Sequence, residues 1–198
     1  GCPRPLISSS CPAVVRLIQI RFPELIDNIV DVRSPMEMAA VSARREFCEK
    51  NHVDPSEVGC FFISPCAAKM TAIRRPLGHE TSAVNGVISI MEVFGLLSTN
   101  IRKVPPAEDD RDETFRATGL GLGWARTGGE VMAAGIENAL AVDGIDQVAK
   151  VLEEIENNRL PDLVFFEGLS CVGGCVGGPL TLENGFISRN RIRDLVRR

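Results

Sequence analysis

The apolar positions alternate between short dense runs and longer stretches with helical spacing, a pattern that predicts an α/β fold. Leu6-Ile7 is a short apolar run leading into Ser8-Ser9-Ser10-Cys11-Pro12. Pro12 suits the first turn of a helix, where its missing N–H costs nothing. Val14, Val15, Leu17, Ile18 and Phe22 supply that helix with a buried face. Ser34-Pro35-Met36-Glu37 reads as a serine cap with glutamate three residues on, predicting a second helix to about Lys50. Val58 to Ser64 and Val84 to Ile90 have the length and composition of buried parallel strands. Ser89-Ile90-Met91-Glu92 is a second capping pattern and opens a helix through Leu97.

Residues 104–116 form a polar, acidic stretch, and Gly119 to Gly123 continue it as loop. The loop 104–123 is therefore the expected division between two lobes of one unit spanning 1–198. Thr127-Gly128-Gly129-Glu130 opens an Ala-rich helix expected to reach about Val142. Its turn is able to cradle an anion, and an ordinary tight turn explains it equally well. Ile145 to Glu156 is amphipathic, with Val148, Val151, Leu152 and Ile155 on one side. Leu163 to Phe166 is a strand leading into a glycine-rich segment, and Asn190 to Arg198 closes the chain as a basic helical tail.

Composition narrows the function classes. The formal net charge is −4, and the basic residues are dispersed apart from the arginine-rich end, which argues against a nucleic-acid partner. No apolar stretch approaches the roughly 18 residues of a membrane span, and no secretory leader is visible, so a cytoplasmic protein is expected. Seven cysteines, an odd number without a leader, point to a reducing compartment and to ligands or nucleophiles rather than disulfides.

Three segments place cysteine beside Pro, Gly or Ser after an apolar run: Ser10-Cys11-Pro12, Ser64-Pro65-Cys66-Ala67-Ala68-Lys69, and Ser170-Cys171-Val172-Gly173-Gly174-Cys175-Val176-Gly177-Gly178-Pro179. Thiolates converging from separate elements suit a soft iron–sulfur centre, and the glycines permit close backbone approach. Zinc and inert core cysteines are the competing readings of these residues. Cys2, Cys48 and Cys60 have no motif around them, and Cys60 reads as core filling. His52 and His79 read as solvated, and Trp124 as a packing anchor for the neighbouring glycines.

The order Ser-Cys-Pro, Pro-Cys-x-x-Lys, Ser-Cys-x-Gly-Gly-Cys-x-x-Gly resembles the signature segments of iron-only hydrogenases. Phe22-Pro23-Glu24-Leu25, Ser34-Pro35 and Thr127-Gly128-Gly129 extend the resemblance over nearly the whole chain. It implies two lobes, each a small, mainly parallel sheet flanked by helices, with the cofactor in the cleft between them. It implies that Cys11, Cys66, Cys171 and Cys175 ligate a 4Fe–4S cluster and that Cys175 also bridges to a di-iron subcluster. Lys69 matches the family lysine that contacts a cyanide of that unit. Ser64, Pro65, Leu169 and Ser34 fall at positions beside the cofactor or its proton relay.

This chain also departs from the family pattern. Ser10 stands where active members carry the relay cysteine, and Ala72 or its neighbours stand where a relay glutamate is usual. Ser64 and Leu169 replace methionines. The combination resembles the sensory branch, whose partners are a ferredoxin-like domain or redox protein and a signalling domain further along the polypeptide. The expected function is reversible hydrogen oxidation, slow or sensory. The alternatives are a non-enzymatic electron-transfer or assembly protein and a signalling module. Oxygen is expected to strip the cofactor from an aerobically prepared fragment.

Overall fold

The computed structural model describes residues 4–76, 81–104 and 119–197. Two parallel sheets organise it. The first has the order β1 (Leu6–Ile7), β5 (Phe165–Leu169), β4 (Ala139–Asp143). Leu6 pairs with Phe165 on one side of the central strand, and Ala139 pairs with Phe165 on the other. The second sheet joins β2 (Phe61–Ser64) to β3 (Gly86–Ser89), with Phe61 opposite Gly86.

The main core lies on the first sheet, beneath α1 (Pro12–Arg21) and α7 (Ile145–Glu156). The three- and four-residue spacing of Val148, Leu152 and Ile155 puts one apolar stripe of α7 against Ile7, Ile18 and Phe166, all fully buried or nearly so. Each such side chain contributes roughly 1.5–3 kcal/mol by leaving water. All five residues of β5 are buried, as expected of a central strand with both faces covered.

The second lobe carries α2 (Pro35–Asn51), α3 (Ala67–Ala72) and α4 (Ile90–Asn100) against β2 and β3, with a smaller core of Met36, Ala40 and Val84 between α2 and the sheet. Polar clamps reinforce it. Glu37 accepts hydrogen bonds from Ser82 Oγ at 2.5 Å and Ala83 N at 2.6 Å, and Arg44 donates to Ala83 O and Asn85 Oδ1. Ser34 Oγ accepts from Glu37 N, whereas Ser89 and Glu92 complete a reciprocal capping box on α4.

Several sequence-based expectations need correction. The run Val58–Ser64 is not a buried strand: pairing is confined to Phe61–Ser64, and Phe61 and Ile63 are 63% and 51% exposed. A two-stranded sheet leaves that face uncovered by the described residues. Cys60 precedes the strand, half-buried at the edge of the smaller core rather than filling it. The Ala-rich helix expected to reach Val142 is instead α6 (Gly129–Ala134), stopped by Gly135 at φ 61°. Asn138 at φ 54° then turns the chain into β4, where pairing with β5 overrides the helix preference of alanine and leucine. Gly119–Gly123, expected as loop, is the short helix α5, lodged against the last helix, α8 (Gly185–Val196). A Cβ on Gly119 would stand 2.9 Å from the Val196 carbonyl oxygen, so the bare backbone permits that approach. The last helix starts at Gly185 rather than Asn190 because Asn184 Oδ1 caps it by accepting from Phe186 N.

Most of the expected lobe division, 105–118, lies outside the described residues. The first sheet takes β1 from the start of the chain and β4 and β5 from its second half, so the chain leaves that lobe, builds the other, and returns. No helix among the described residues is long and apolar enough to cross a membrane.

Candidate metal centre

Each cysteine segment follows the carboxyl end of a parallel strand: β1 precedes Cys11, β2 precedes Cys66, and β5 precedes Cys171. Open α/β sheets present ligands at this edge. The first two turns are built alike. Ser10 N donates to Ser8 Oγ at 3.1 Å, and Cys66 N donates to Ser64 Oγ at 3.1 Å; both acceptor serines are buried. Cys11 and Cys66 then occupy the N-cap positions of α1 and α3, and neither side chain makes a capping hydrogen bond. Each thiol is thus left available at the positive end of a helix.

The third segment is held from two sides. Thr127 N donates to Gly173 O and Val176 N donates to Ala125 O, so residues 125–127 clamp the loop. Gly174 has φ 96°, and a Cβ there would lie 2.7 Å from Thr127 N, so conformation and space both require glycine. Gly178 abuts the second segment: a Cβ on it would lie 2.4 Å from Pro65 O, beside the bond from Leu180 N to the same oxygen.

These contacts bring Cys11, Cys66, Cys171, Cys175, Lys69 and Leu169 around one cavity of about 130 Å³. Burial first, then the neighbouring Cys66, Cys11 and Cys175, push the Cys171 thiol up to about 11, with Lys69 opposing. Burial also pushes the Cys175 thiol up, against the pull of Lys69. Four thiols and one ammonium therefore share one electrostatic environment. Among the described residues, no three His, Cys, Asp or Glu side chains converge closely enough for a single ion. Tetrahedral zinc would require every sulfur at about 2.3 Å from one centre. Four soft donors spread around a small void fit a polynuclear cluster, whose ligands are shared among several metal atoms.

Lys69 also lines a larger cavity of about 390 Å³, together with Ser10, Ser34, Asp31 and Ala72. Ser34 therefore both caps α2 and faces this space. Ser64 and Pro65 line neither cavity; they support the Cys66 turn through the Ser64 hydroxyl and the Pro65 carbonyl. Cys48 is buried on α2 and His52 is exposed at its left-handed C-cap. Cys2 and His79 lie outside the described residues.

The sequence reading missed the carboxylates beneath the site. Glu167, 1% exposed in β5, accepts from Gly128 N at 2.9 Å and Val131 N at 3.0 Å. The Thr-Gly-Gly turn thus cradles a carboxyl group that belongs to the protein itself. Burial raises the Glu167 pKa; the backbone N–H groups of Val131, Gly128 and Glu130 oppose this, and the Glu130 charge adds repulsion. Ser8 Oγ donates to Glu130 Oε2 at 2.5 Å, and Thr127 Oγ1 donates to Asp143 Oδ2 at 2.6 Å. The available signal was a glutamate inside the otherwise apolar run Phe165-Phe166-Glu167-Gly168-Leu169.

The chain is 25% identical over 218 residues to iron hydrogenase 1 of Clostridium pasteurianum, covering 89% of this chain and 38% of that protein. Over 103 residues it is 27% identical to the cytosolic Fe-S cluster assembly factor NAR1 of Yarrowia lipolytica, covering 48% of this chain and 21% of that protein. The fold superposes on the FeFe-hydrogenase HydA1 of Chlamydomonas reinhardtii with TM-score 0.67 and 17% identity, over 98% of this chain and 66% of that one. The chain thus spans less than two thirds of these relatives' length. The model of the iron-only hydrogenase large subunit, C-terminal domain, matches residues 1–140 and 133–179, so the chain belongs to that family.

Proposed function

We propose that Cys11, Cys66, Cys171 and Cys175 hold a 4Fe–4S cluster and that the chain acts as a redox domain, with a di-iron subcluster seated near Lys69 when maturation supplies it. The observation that carries this reading is the convergence of four thiols and Lys69 on one cavity at the ends of three parallel strands. When bound, these groups supply one-electron transfer and reversible hydrogen oxidation. The chain's own residues set the terms. Cys11 and Cys66 sit at the N-cap positions of α1 and α3, with side chains that make no capping hydrogen bond and so remain available as ligands. The Lys69 ammonium binds an anionic ligand in the wall shared by the two cavities.

Ser10 supports a hydrogen bond but does not titrate near neutral pH, and Ala72 offers no carboxylate to the larger cavity. Proton delivery through these positions is therefore weak, which favours slow turnover or hydrogen sensing over bulk catalysis. A ferredoxin-like or other redox partner and a signalling domain fit such a role, in the cytoplasm.

A second reading is an electron-transfer or assembly protein without the di-iron unit, favoured by the match to the yeast assembly factor. The test is anaerobic production with the hydrogenase maturation proteins, followed by iron and sulfide analysis and infrared spectroscopy. Metal-bound carbonyl and cyanide bands support the first reading; iron and sulfide without those bands support the second. Each of Cys11→Ser, Cys66→Ser, Cys171→Ser and Cys175→Ser is expected to lower iron content, and Cys60→Ser to leave it unchanged. Full iron in all four variants would sink the cluster assignment.

A further inference from the structure

We propose that the groove where α1 packs against α3 is a binding site for a phosphate dianion, held between Arg16 and Arg75. The groove is a third cavity, of about 340 Å³, lined from α1 by Ala13 and Arg16 and from the α3 side by Ala68, Thr71, Ala72 and Arg75. Its volume falls within the roughly 300–1,000 Å³ of small-molecule sites. Sequence spacing builds it. Thr71, Ala72 and Arg75 follow Ala68 by three, four and seven residues, which lines them along one side of α3 and the turn after it. Ala13 and Arg16 are likewise three apart on α1. Three alanines thus offer only methyl groups to the space between the helices, and one exposed arginine from each lobe borders it.

The charge around this space is one-sided. No Asp or Glu lines the groove, and among the described residues neither Arg16 nor Arg75 has a carboxylate within ion-pair reach. Arg16 Nη1 donates to Gln19 Oε1 at 2.9 Å, a neutral partner that leaves the charge uncompensated. Two guanidiniums on one void repel each other across the lobe boundary, in a chain whose net charge is −4. A doubly charged oxyanion between them removes that repulsion, and each planar fork matches a pair of its oxygens. The Thr71 hydroxyl adds a donor. The alanine methyls give a small organic body an apolar floor, so free phosphate and phosphate monoesters are the two sources of this chemistry.

The groove lies directly behind the metal centre. Ala13 and Ala68 line both the groove and the metal cavity, each two residues beyond a candidate ligand. A dianion gripped from both lobes ties together the two helices whose N-caps are Cys11 and Cys66. Its binding is therefore coupled to retention of the cluster; this consequence alone rests on the cluster reading above.

The test is anaerobic calorimetric titration of glycerol phosphate and of inorganic phosphate into the chain, with and without iron, at matched ionic strength. One saturable site is expected. Arg16→Gln and Arg75→Gln should each weaken it at least about tenfold, the loss of one charge-assisted hydrogen bond. Arg45→Gln, at an exposed arginine of α2 outside the groove, should leave it unchanged. Tighter binding of the ester assigns the site to phosphate monoesters, and tighter binding of the inorganic ion assigns it to free phosphate. In the iron-loaded protein the tighter ligand should slow iron transfer to a ferrous chelator in wild type, and not in Arg16→Gln or Arg75→Gln. No saturable binding, or an affinity that falls equally in all three variants, would overturn the site. Binding that depends on both arginines but leaves iron loss unaltered would overturn the coupling between groove and cluster. A chain that binds phosphate yet takes up no iron would sink the cluster reading and leave the anion site standing.

Discussion

Gly178→Ala tests how the two lobes are joined at the metal centre. The backbone at Gly178 is unexceptional, with φ −63°, so alanine brings no conformational penalty of its own. The difficulty is space: the new Cβ would lie 2.4 Å from Pro65 O and 3.1 Å from Cys175 O, both backbone atoms that no rotamer change can move. The Cys66 turn and the Cys171–Gly178 loop must part by about 0.6 Å to reach the shortest contact a real Cβ tolerates, 3.0 Å. That movement strains the bond from Leu180 N to Pro65 O, now 3.1 Å. Overpacking against rigid surroundings costs about 1–3 kcal/mol, which for a chain of this size lowers the melting temperature by about 2–12 °C. Anaerobic denaturant unfolding with iron analysis on the same samples reads both effects, and iron content should fall with stability. Gly95→Ala is the matched control: nothing lies within 4 Å of its Cβ position in the exposed interior of α4, so it should stabilise by up to about 1 kcal/mol. A Gly178→Ala protein within 0.5 kcal/mol of wild type and carrying full iron would refute the tight abutment of the two loops.

Leu152→Ala removes a fully buried anchor of α7 and should cost about 2–5 kcal/mol in denaturant unfolding; a smaller loss would mean the main core is looser than drawn. Ser8→Ala removes both the acceptor for Ser10 N and the donor to Glu130, so a loss of about 1–3 kcal/mol is expected, together with weaker iron retention at Cys11. Glu167→Gln probes the buried carboxylate through pH. Its folded pKa lies above the unfolded value of about 4.5, so wild type should hold its greatest advantage over the variant below that value. The advantage should shrink as pH rises through the raised pKa. Unfolding free energies of the pair that differ by the same amount at acid and neutral pH would contradict this.

Local chemistry determined what could be read from the residues alone. Val148, Leu152 and Ile155 repeat at helix spacing over an uninterrupted stretch, so α7 was visible with correct ends. The three cysteine turns were equally plain, because proline, glycine and serine leave the chain few other conformations there. The strand β4 was not, since Ala139, Leu140 and Ala141 favour helix, and only pairing with β5 decides otherwise. The exposure of Phe61 and Ile63 was hidden for a related reason: apolar sequence implies burial, and whether a sheet face is covered depends on elements far along the chain. Glu167 carried a signal, a charge within a buried strand, but its partners are turn amides of Gly128 and Val131, almost forty residues away.

The pairing of β1 with β5, Leu6 against Phe165, also fixes an order of events during biosynthesis. Cys11 is made first, and Cys171 and Cys175 leave the ribosome roughly 10–30 seconds later at ordinary elongation rates. Until then the strand that positions Cys11 has no central partner, and the last of the three segments that line the cavity is missing. The first two thiols must wait in an unfinished chain, exposed to oxidants and to competing metals. Under the cluster assignment proposed above, all four ligands coexist only once synthesis has passed Cys175, so strand order places loading of the centre after the synthesis of β5.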